Sequence, residues 1–372
     1  MKFSIVVAFK NRDQKRVQFF LDSLKWQTEN DFQLIFINQG SDDNVTTWLE
    51  LLLPNYHFVK YIHNFTQGYL FNKSNALNIG INAAEGKYIV IADIDIVFPP
   101  DYFKKISDHL IQGSFITHKA YYLPETFQLK DVESLFLADF SSGCIEKFIG
   151  LCVATKESFL NINGYDEYFL TWGGEDDDII NRLELDGGKR IQFSADSMNI
   201  YHQWHIGNTP AYPTPWYLDI VNYIYFENKS QKLRNDKFGI PIKSSDRSIL
   251  EKLTNPDSFK RLELIPDPLF QFTFFIDRFS KMNAGEFGQF EFPLQIPPLK
   301  GRKQKVIDRL NLLLAKCRFP YRLEKTHLVL PINTRESWRD FVTYFIGKNR
   351  GFLIDYYLID TEEKQVLYFQ KK

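Results

Sequence analysis

Residues 88–95 read Tyr88-Ile89-Val90-Ile91-Ala92-Asp93-Ile94-Asp95. The unbroken apolar run suits a strand buried on both faces, and it stops at two carboxylates separated by one residue. Charge at the end of a buried strand is costly unless something meets it. A divalent cation is one resolution and an Asx-closed turn is the other. Working backward, Asn72 to Ala84 has the spacing of a helix, with Ala76, Leu77, Ile79 and Gly80 inside it and Gly86 as its stop. Strand candidates recur at Ser4 to Phe9, Phe32 to Asn38 and His57 to Ile62. Helical patterns through Val17, Phe20, Leu21 and Leu24, and through Trp48, Leu49 and Leu52, separate them. Such alternation predicts an α/β fold built on a doubly wound, mostly parallel sheet. Ligands in these sheets bind at the carboxyl ends of the strands, where the polar clusters at 10–13, 38–43 and 93–95 all fall.

Working forward, Asn163 to Arg182 contains Trp172-Gly173-Gly174 followed by four consecutive carboxylates, Glu175, Asp176, Asp177 and Asp178. Adjacent negative charges repel, and helix N-terminal amides, a cation or a hydroxylated ligand can stabilise them. Ile179, Ile180, Leu183 and Leu185 read as the buried face of a helix that the carboxylates open. One or more of the four therefore either complements the helix dipole or acts as a general base beside a sugar. Further on, His202 and His205 follow a strand candidate at Ile191 to Phe193. Imidazole is a common metal ligand, and either could join Asp95, although a histidine beside aromatics can equally be a packed residue.

A chain of 372 residues is long enough for two domains. Its 45 basic and 46 acidic residues give a net charge of −1, which supplies no electrostatic argument for nucleic-acid binding. No apolar run approaches a membrane span, so the expectation is a soluble, cytoplasmic protein. Three cysteines, Cys144, Cys152 and Cys317, lack metal spacing and read as reduced thiols packed as small hydrophobes.

The first 210 or so residues resemble the inverting glycosyltransferases of the GT-A fold, in particular the β-1,4-galactosyltransferase group and chondroitin-polymerase-like family 2 enzymes. The resemblance is carried by Phe9-Lys10-Asn11-Arg12, by Phe71 to Gly80, by Asp93-Ile94-Asp95, and by Phe148 to Gly164 followed by Trp172 to Asp178. It implies Asp95 and His202 as protein ligands of Mn²⁺ or Mg²⁺ and Asp176 as the catalytic base. It implies a donor site of Phe9, Lys10, Asn11, Arg12, Gln39, Phe71, Lys73, Asp93 and Ile94. Trp172, Gly173, Glu175 and Asp177 would frame the acceptor. The implied reaction moves a hexose or N-acetylhexosamine from a nucleotide-diphosphate donor, UDP above all, to a saccharide or glycolipid hydroxyl in surface polysaccharide synthesis, with peripheral membrane association compatible. The alternative is a catalytically silent sugar-binding or scaffold protein that keeps the fold. Three departures bear on this: Asn38-Gln39 stands where family 2 has Asp-Asp, Lys10 and Lys73 replace arginines, and Asn199 replaces a methionine, which would favour Mg²⁺.

The resemblance ends near Phe226. The expected division is a catalytic domain over 1–226, a linker over 227–245 and an α+β accessory domain over 246–372. In the last, Leu262 to Ile265, Phe270 to Ile276 and Phe287 to Ile296 read as strands, Val306 to Ala315 and Arg335 to Ile346 as helices, and Phe352 to Ile359 with Gln365 to Phe369 as a hairpin. Trp338, Tyr356 and Tyr357 suit either core packing or saccharide stacking.

Overall fold

Strands β1 (Phe3–Phe9), β2 (Phe32–Gln39), β3 (Val59–Asn64) and β4 (Tyr88–Ala92) pair in parallel in the order β3-β2-β1-β4. The structure is a computed structural model that describes residues 1–125, 132–137, 144–171, 173–205, 238–262, 271–292, 322–324, 327–329, 335–361 and 365–372. Helices α1 (Gln14–Lys25), α2 (Asp43–Leu52) and α3 (Lys73–Ala83) make the crossovers. Alternate β1 residues serve two cores: Phe3, Ile5, Val7 and Phe9 pack with Val17 and Phe20 of α1 and Leu49 of α2, whereas Val6 packs with Ala76, Leu77 and Ile79 of α3. Helices therefore cover both faces, the doubly wound arrangement predicted from the alternation. The third strand begins at Val59 because Leu53–Asn55 adds a helical turn and 57–58 is still a turn.

Beyond β4 the chain forms β5 (Ile96–Val97), α4 (Tyr102–Ser107), β6 (Ser114–Tyr122), α5 (Val132–Leu137), β7 (Ile145–Thr155), α6 (Lys156–Asn161), α7 (Glu175–Leu185), β8 (Lys189–Phe193), α8 (Ala195–Met198) and β9 (Tyr201–His202). β7 adds antiparallel to β4, and the sheet continues β7-β6-β9-β5, with β8 also on β6. The parallel half thus meets a mixed half at β4, the strand that ends in the Asp pair.

A second sheet has the order β10-β11-β15-β14, from β10 (Lys260–Arg261), β11 (Phe287–Phe292), β14 (Leu353–Asp360) and β15 (Gln365–Lys371); β12 (Arg322–Glu324) and β13 (His327–Val329) form a separate ladder. Helices α9 (Ser248–Lys252), α10 (Gln271–Ser280) and α11 (Arg335–Asn349) accompany it. One expectation is corrected here: Phe270 to Ile276 is not a strand, since 271–280 is α10. Its aromatic run has high β propensity, but Phe275 and Phe279, four residues apart, share one buried face against Trp338 and Phe345. Trp338 is 1% exposed and Tyr356 stacks on Tyr69 of the first sheet's domain, so these rings pack against protein. Residues 263–265, 293–296 and the helix expected over 306–315 lie outside the described residues, as do 226–237 and Cys317. From the stretch expected to link the domains, Gly239 accepts a hydrogen bond from Asn82, and Ile242 N donates to Asn64 Oδ1 at 2.6 Å. Among the described residues, no helix is long and apolar enough to cross a membrane.

Candidate active site

The Asp93-Ile94-Asp95 turn leaves β4 and enters β5, whose Ile96 pairs with His202 of β9. Gln203 N donates to the Asp95 carbonyl at 2.8 Å, completing the bridge. This pairing sets two imidazoles against one carboxylate: His202 Nε2 lies 3.3 Å from Asp95 Oδ1, and His205 Nε2 lies 3.3 Å from Asp95 Oδ2. Burial alone would raise Asp95, but the facing His202 and His205, with Arg12 nearby, outweigh it and lower its pKa to about 2. Burial lowers His202, which keeps its imidazole neutral at pH 7. Tyr122 lies flat on the His202 ring, centroids 4.1 Å apart at 10°. One carboxylate and two imidazoles, with ligand atoms within 4.8 Å of one another, form a set suited to a divalent first-row metal. Asp95 Oδ1 and His202 Nδ1 are buried without a hydrogen-bond partner, which fits a site that a cation completes.

The acidic run divides by orientation once α7 forms. Thr171, Gly173 and Gly174 all have positive φ (66°, 97° and 93°), and this turn starts the helix at Glu175. Asp178 turns inward to Arg182, Oδ2 to Nη2 2.6 Å, while Arg182 Nη1 donates to the carbonyls of Ile162 and Gly164. That carboxylate is structural. Asp177 faces solvent. Glu175 and Asp176 face Lys73, the first residue of α3, which the Asn72 cap places by accepting from Asn75 N at 2.9 Å.

Lys73 Nζ joins the Asp93 turn to the first turn of α7. It lies 3.0 Å from Asp93 Oδ1, 3.2 Å from Asp176 Oδ1 and 3.3 Å from Glu175 Oε1. Burial works against its charge, but Asp176, Asp93 and Glu175 outweigh that and hold it protonated. Desolvation raises Asp176 to about 7, opposed by Lys73 and helped by Glu175 and Asp93. The Asp176 carboxylate packs against Gly150 of β7, where any β-carbon would meet it.

The remaining candidates lie around this centre in different ways. Lys10 Nζ donates to the Tyr69 carbonyl at 2.7 Å, and burial lowers its pKa to about 8. Asn11 has φ 49° and ties two loops together, its N donating to Ser41 Oγ and its Oδ1 accepting from Asp42 N. Phe71 offers its carbonyl to Thr171 N at 2.7 Å. The Phe9 and Ile94 side chains belong to the core, Phe9 against Phe36 and Trp48. Gln39 is 2% exposed, its Nε2 donating to Asn75 Oδ1 and its Oε1 accepting from Asn64 Nδ2. The side chains of these three residues are thus engaged within the protein. Asn75 and Asn78 both donate to the Glu167 carboxylate, extending that network beneath the cleft. Asn199, with φ 52°, caps α8. Trp172 lies outside the described residues.

Gly150, Glu167 and Tyr122 were not picked out from sequence. An isolated glycine within an apolar strand pattern was the available signal for the first; nothing local marked the other two.

Residues 4–143 match the family model described as Glycosyl transferase family 2, and residues 139–206 match the one described as N-terminal domain of galactosyltransferase. Beta-1,4-galactosyltransferase 1 of Bos taurus is 24% identical over 192 residues, 50% of this chain and 37% of that protein. An uncharacterized glycosyltransferase of Haemophilus influenzae is 31% identical over 121 residues, 32% of this chain and 36% of that protein. The matches thus span little more than a third of these relatives' own length. Among solved structures, S. aureus TarS 1-349 in complex with UDP-GlcNAc superposes with a TM-score of 0.47 at 14% identity, covering 90% of this chain and 97% of that one. Residues 4–206 thus resemble glycosyltransferases throughout. The similarity is to glycosyltransferase family 2 over 4–143 and to galactosyltransferases over 139–206.

Proposed function

We propose that this enzyme is a metal-dependent inverting glycosyltransferase that moves a hexose or N-acetylhexosamine from UDP to a saccharide hydroxyl. The observation that carries the reading is Lys73, which places Asp93, at the metal turn, and Asp176, at the acceptor-side helix, around one ammonium. Asp95, His202 and His205 would hold Mn²⁺ or Mg²⁺, which when bound offsets the charge of the departing diphosphate.

Asp176 is suited to the base role because its raised pKa makes its carboxylate basic enough to take a hydroxyl proton near neutrality. As the acceptor oxygen bonds to the anomeric carbon, its proton passes to Asp176, and the electron pair of the breaking carbon–oxygen bond leaves with UDP. Attack from the face opposite the leaving group inverts the centre and requires no carboxylate nucleophile. Lys73 and Lys10 are the cations that would meet a diphosphate in this reading.

The experiment is a screen of UDP-linked sugars for Mn²⁺-dependent release of UDP by the full chain. Turnover of at least one donor, lost in Asp176→Asn while UDP with Mn²⁺ still binds, is the expected result. Absence of turnover with every donor would favour the silent sugar-binding protein instead, and undiminished turnover in Asp176→Asn would remove that residue from the base role.

A further inference from the structure

The second sheet grips both walls of the cleft. On the donor side, Arg247 is 3% exposed and pairs with Asp355 at 2.9 Å. Its Nη1 donates to the carbonyls of Phe65 and Gln67, and its Nη2 to that of Tyr356. The guanidinium carbon sits 3.9 Å from the Tyr69 ring centroid, and that ring stacks on Tyr356 at 4.3 Å. Tyr69 OH donates to Asp355 Oδ1 at 2.7 Å, Leu70 N donates to Tyr356 OH at 3.1 Å, and Leu358 N donates to the Gly68 carbonyl at 2.8 Å. The whole of 65–70 is thereby fastened to α9 and β14. Its Tyr69 carbonyl is the acceptor for Lys10 Nζ. On the other wall, Arg350 donates to the carbonyls of Glu167 and, at 2.9 Å, Tyr168, while Phe169 and Leu170 are buried in the second sheet's own core. Those residues lead directly into the turn that starts α7.

We propose that the second sheet is a working part of the transferase site, with Arg247 and Tyr356 as positioning residues that act on the donor through Tyr69 and Lys10. The inference rests on the donor-site reading above. A loop of eight residues, 65–72, between a strand and a helix would otherwise sample many conformations, and Lys10 would lose the fixed carbonyl that aims its ammonium. Five directed donors on one guanidinium suit this task better than an ammonium could.

The test measures UDP binding to the full chain with Mn²⁺ by calorimetry, at a temperature where every variant is folded. Tyr356→Phe, which keeps the ring stack and removes the hydroxyl that receives Leu70 N, and Arg247→Lys should each weaken UDP by roughly three- to tenfold. Lys10→Met combined with Tyr356→Phe should weaken it by less than the product of the two single effects, since both act through one contact. Trp338→Phe, in the core of the same sheet, where the indole stacks on Phe292 and its Nε1 makes no hydrogen bond among the described residues, serves as the structural control: it should lower the melting temperature and leave UDP affinity unchanged. Wild-type affinity in both Tyr356→Phe and Arg247→Lys, strict multiplicativity in the double variant, or an equal loss in Trp338→Phe would overturn the positioning role alone. A wild-type chain that binds no UDP with Mn²⁺ would overturn the donor-site reading and this role with it.

Discussion

The carboxylate of Asp176 occupies space that every residue except glycine would claim at Gly150: a β-carbon there would stand 2.7 Å from Asp176 Oδ2 and 3.0 Å from Oδ1. Gly150 lies within β7 and does not have the positive φ that an L-residue avoids, so Gly150→Ala acts by displacing the carboxylate rather than by straining the strand. Turnover should fall by about two orders of magnitude, with cooperative unfolding retained. Steady-state kinetics beside a thermal melt checks this.

The pH profile follows from the same carboxylate. Asp176 must be ionised to accept a proton, so kcat/KM should rise with pH to about 7 and then level off. Lys73→Met removes the charge that holds that pKa down, and the rising limb should move to higher pH. Stability has the opposite slope. A folded pKa raised from 3.8 to about 7 contributes stability that is complete below about pH 4 and is lost as the pH rises to about 7. Asp176→Asn should flatten that limb in denaturant titrations run from pH 4 to pH 8.

Metal binding should distinguish the two imidazoles from surrounding residues. Even outer-shell partners of a metal site contribute about 10–100-fold in affinity, so His202→Ala and His205→Ala should each weaken Mn²⁺ by at least about tenfold, and Asp95→Ala by more. Titration of Mn²⁺ followed by its electron paramagnetic resonance signal reads this directly. Unaltered binding in either histidine variant removes that residue from the ligand set.

The Arg247–Asp355 pair is almost fully enclosed, with side chains 1% and 2% exposed. Asp355→Ala leaves a buried guanidinium without its counter-charge and should destabilise the fold by about 3–5 kcal/mol. Replacing both, with Arg247→Met and Asp355→Leu, should recover part of that loss. Urea unfolding of the two variants separates the outcomes.

The parallel half of the first sheet was readable because strands such as β4 are continuous apolar runs and its helices carry caps such as Asn72, both local signals. The acidic run was visible as a feature, but its division was not: whether Asp178 meets Arg182 or Asp176 meets Lys73 depends on the rotation of α7, which the preceding turn sets. Lys73 was expected in the donor site in place of an arginine, but nothing local showed that it contacts three carboxylates drawn from two separate segments of chain. The α10 segment misled because aromatic side chains favour strands locally, whereas its four-residue spacing acts only when a core is present to receive it. The contacts made by Arg247 span more than a hundred residues of sequence and have no local trace at all.

Tyr122 covers the face of the His202 imidazole and so holds the plane of that ring. A proton can then move from one ring nitrogen to the other without any rotation of the side chain. A ligand atom arriving beside Asp95 would meet an imidazole whose plane is already set.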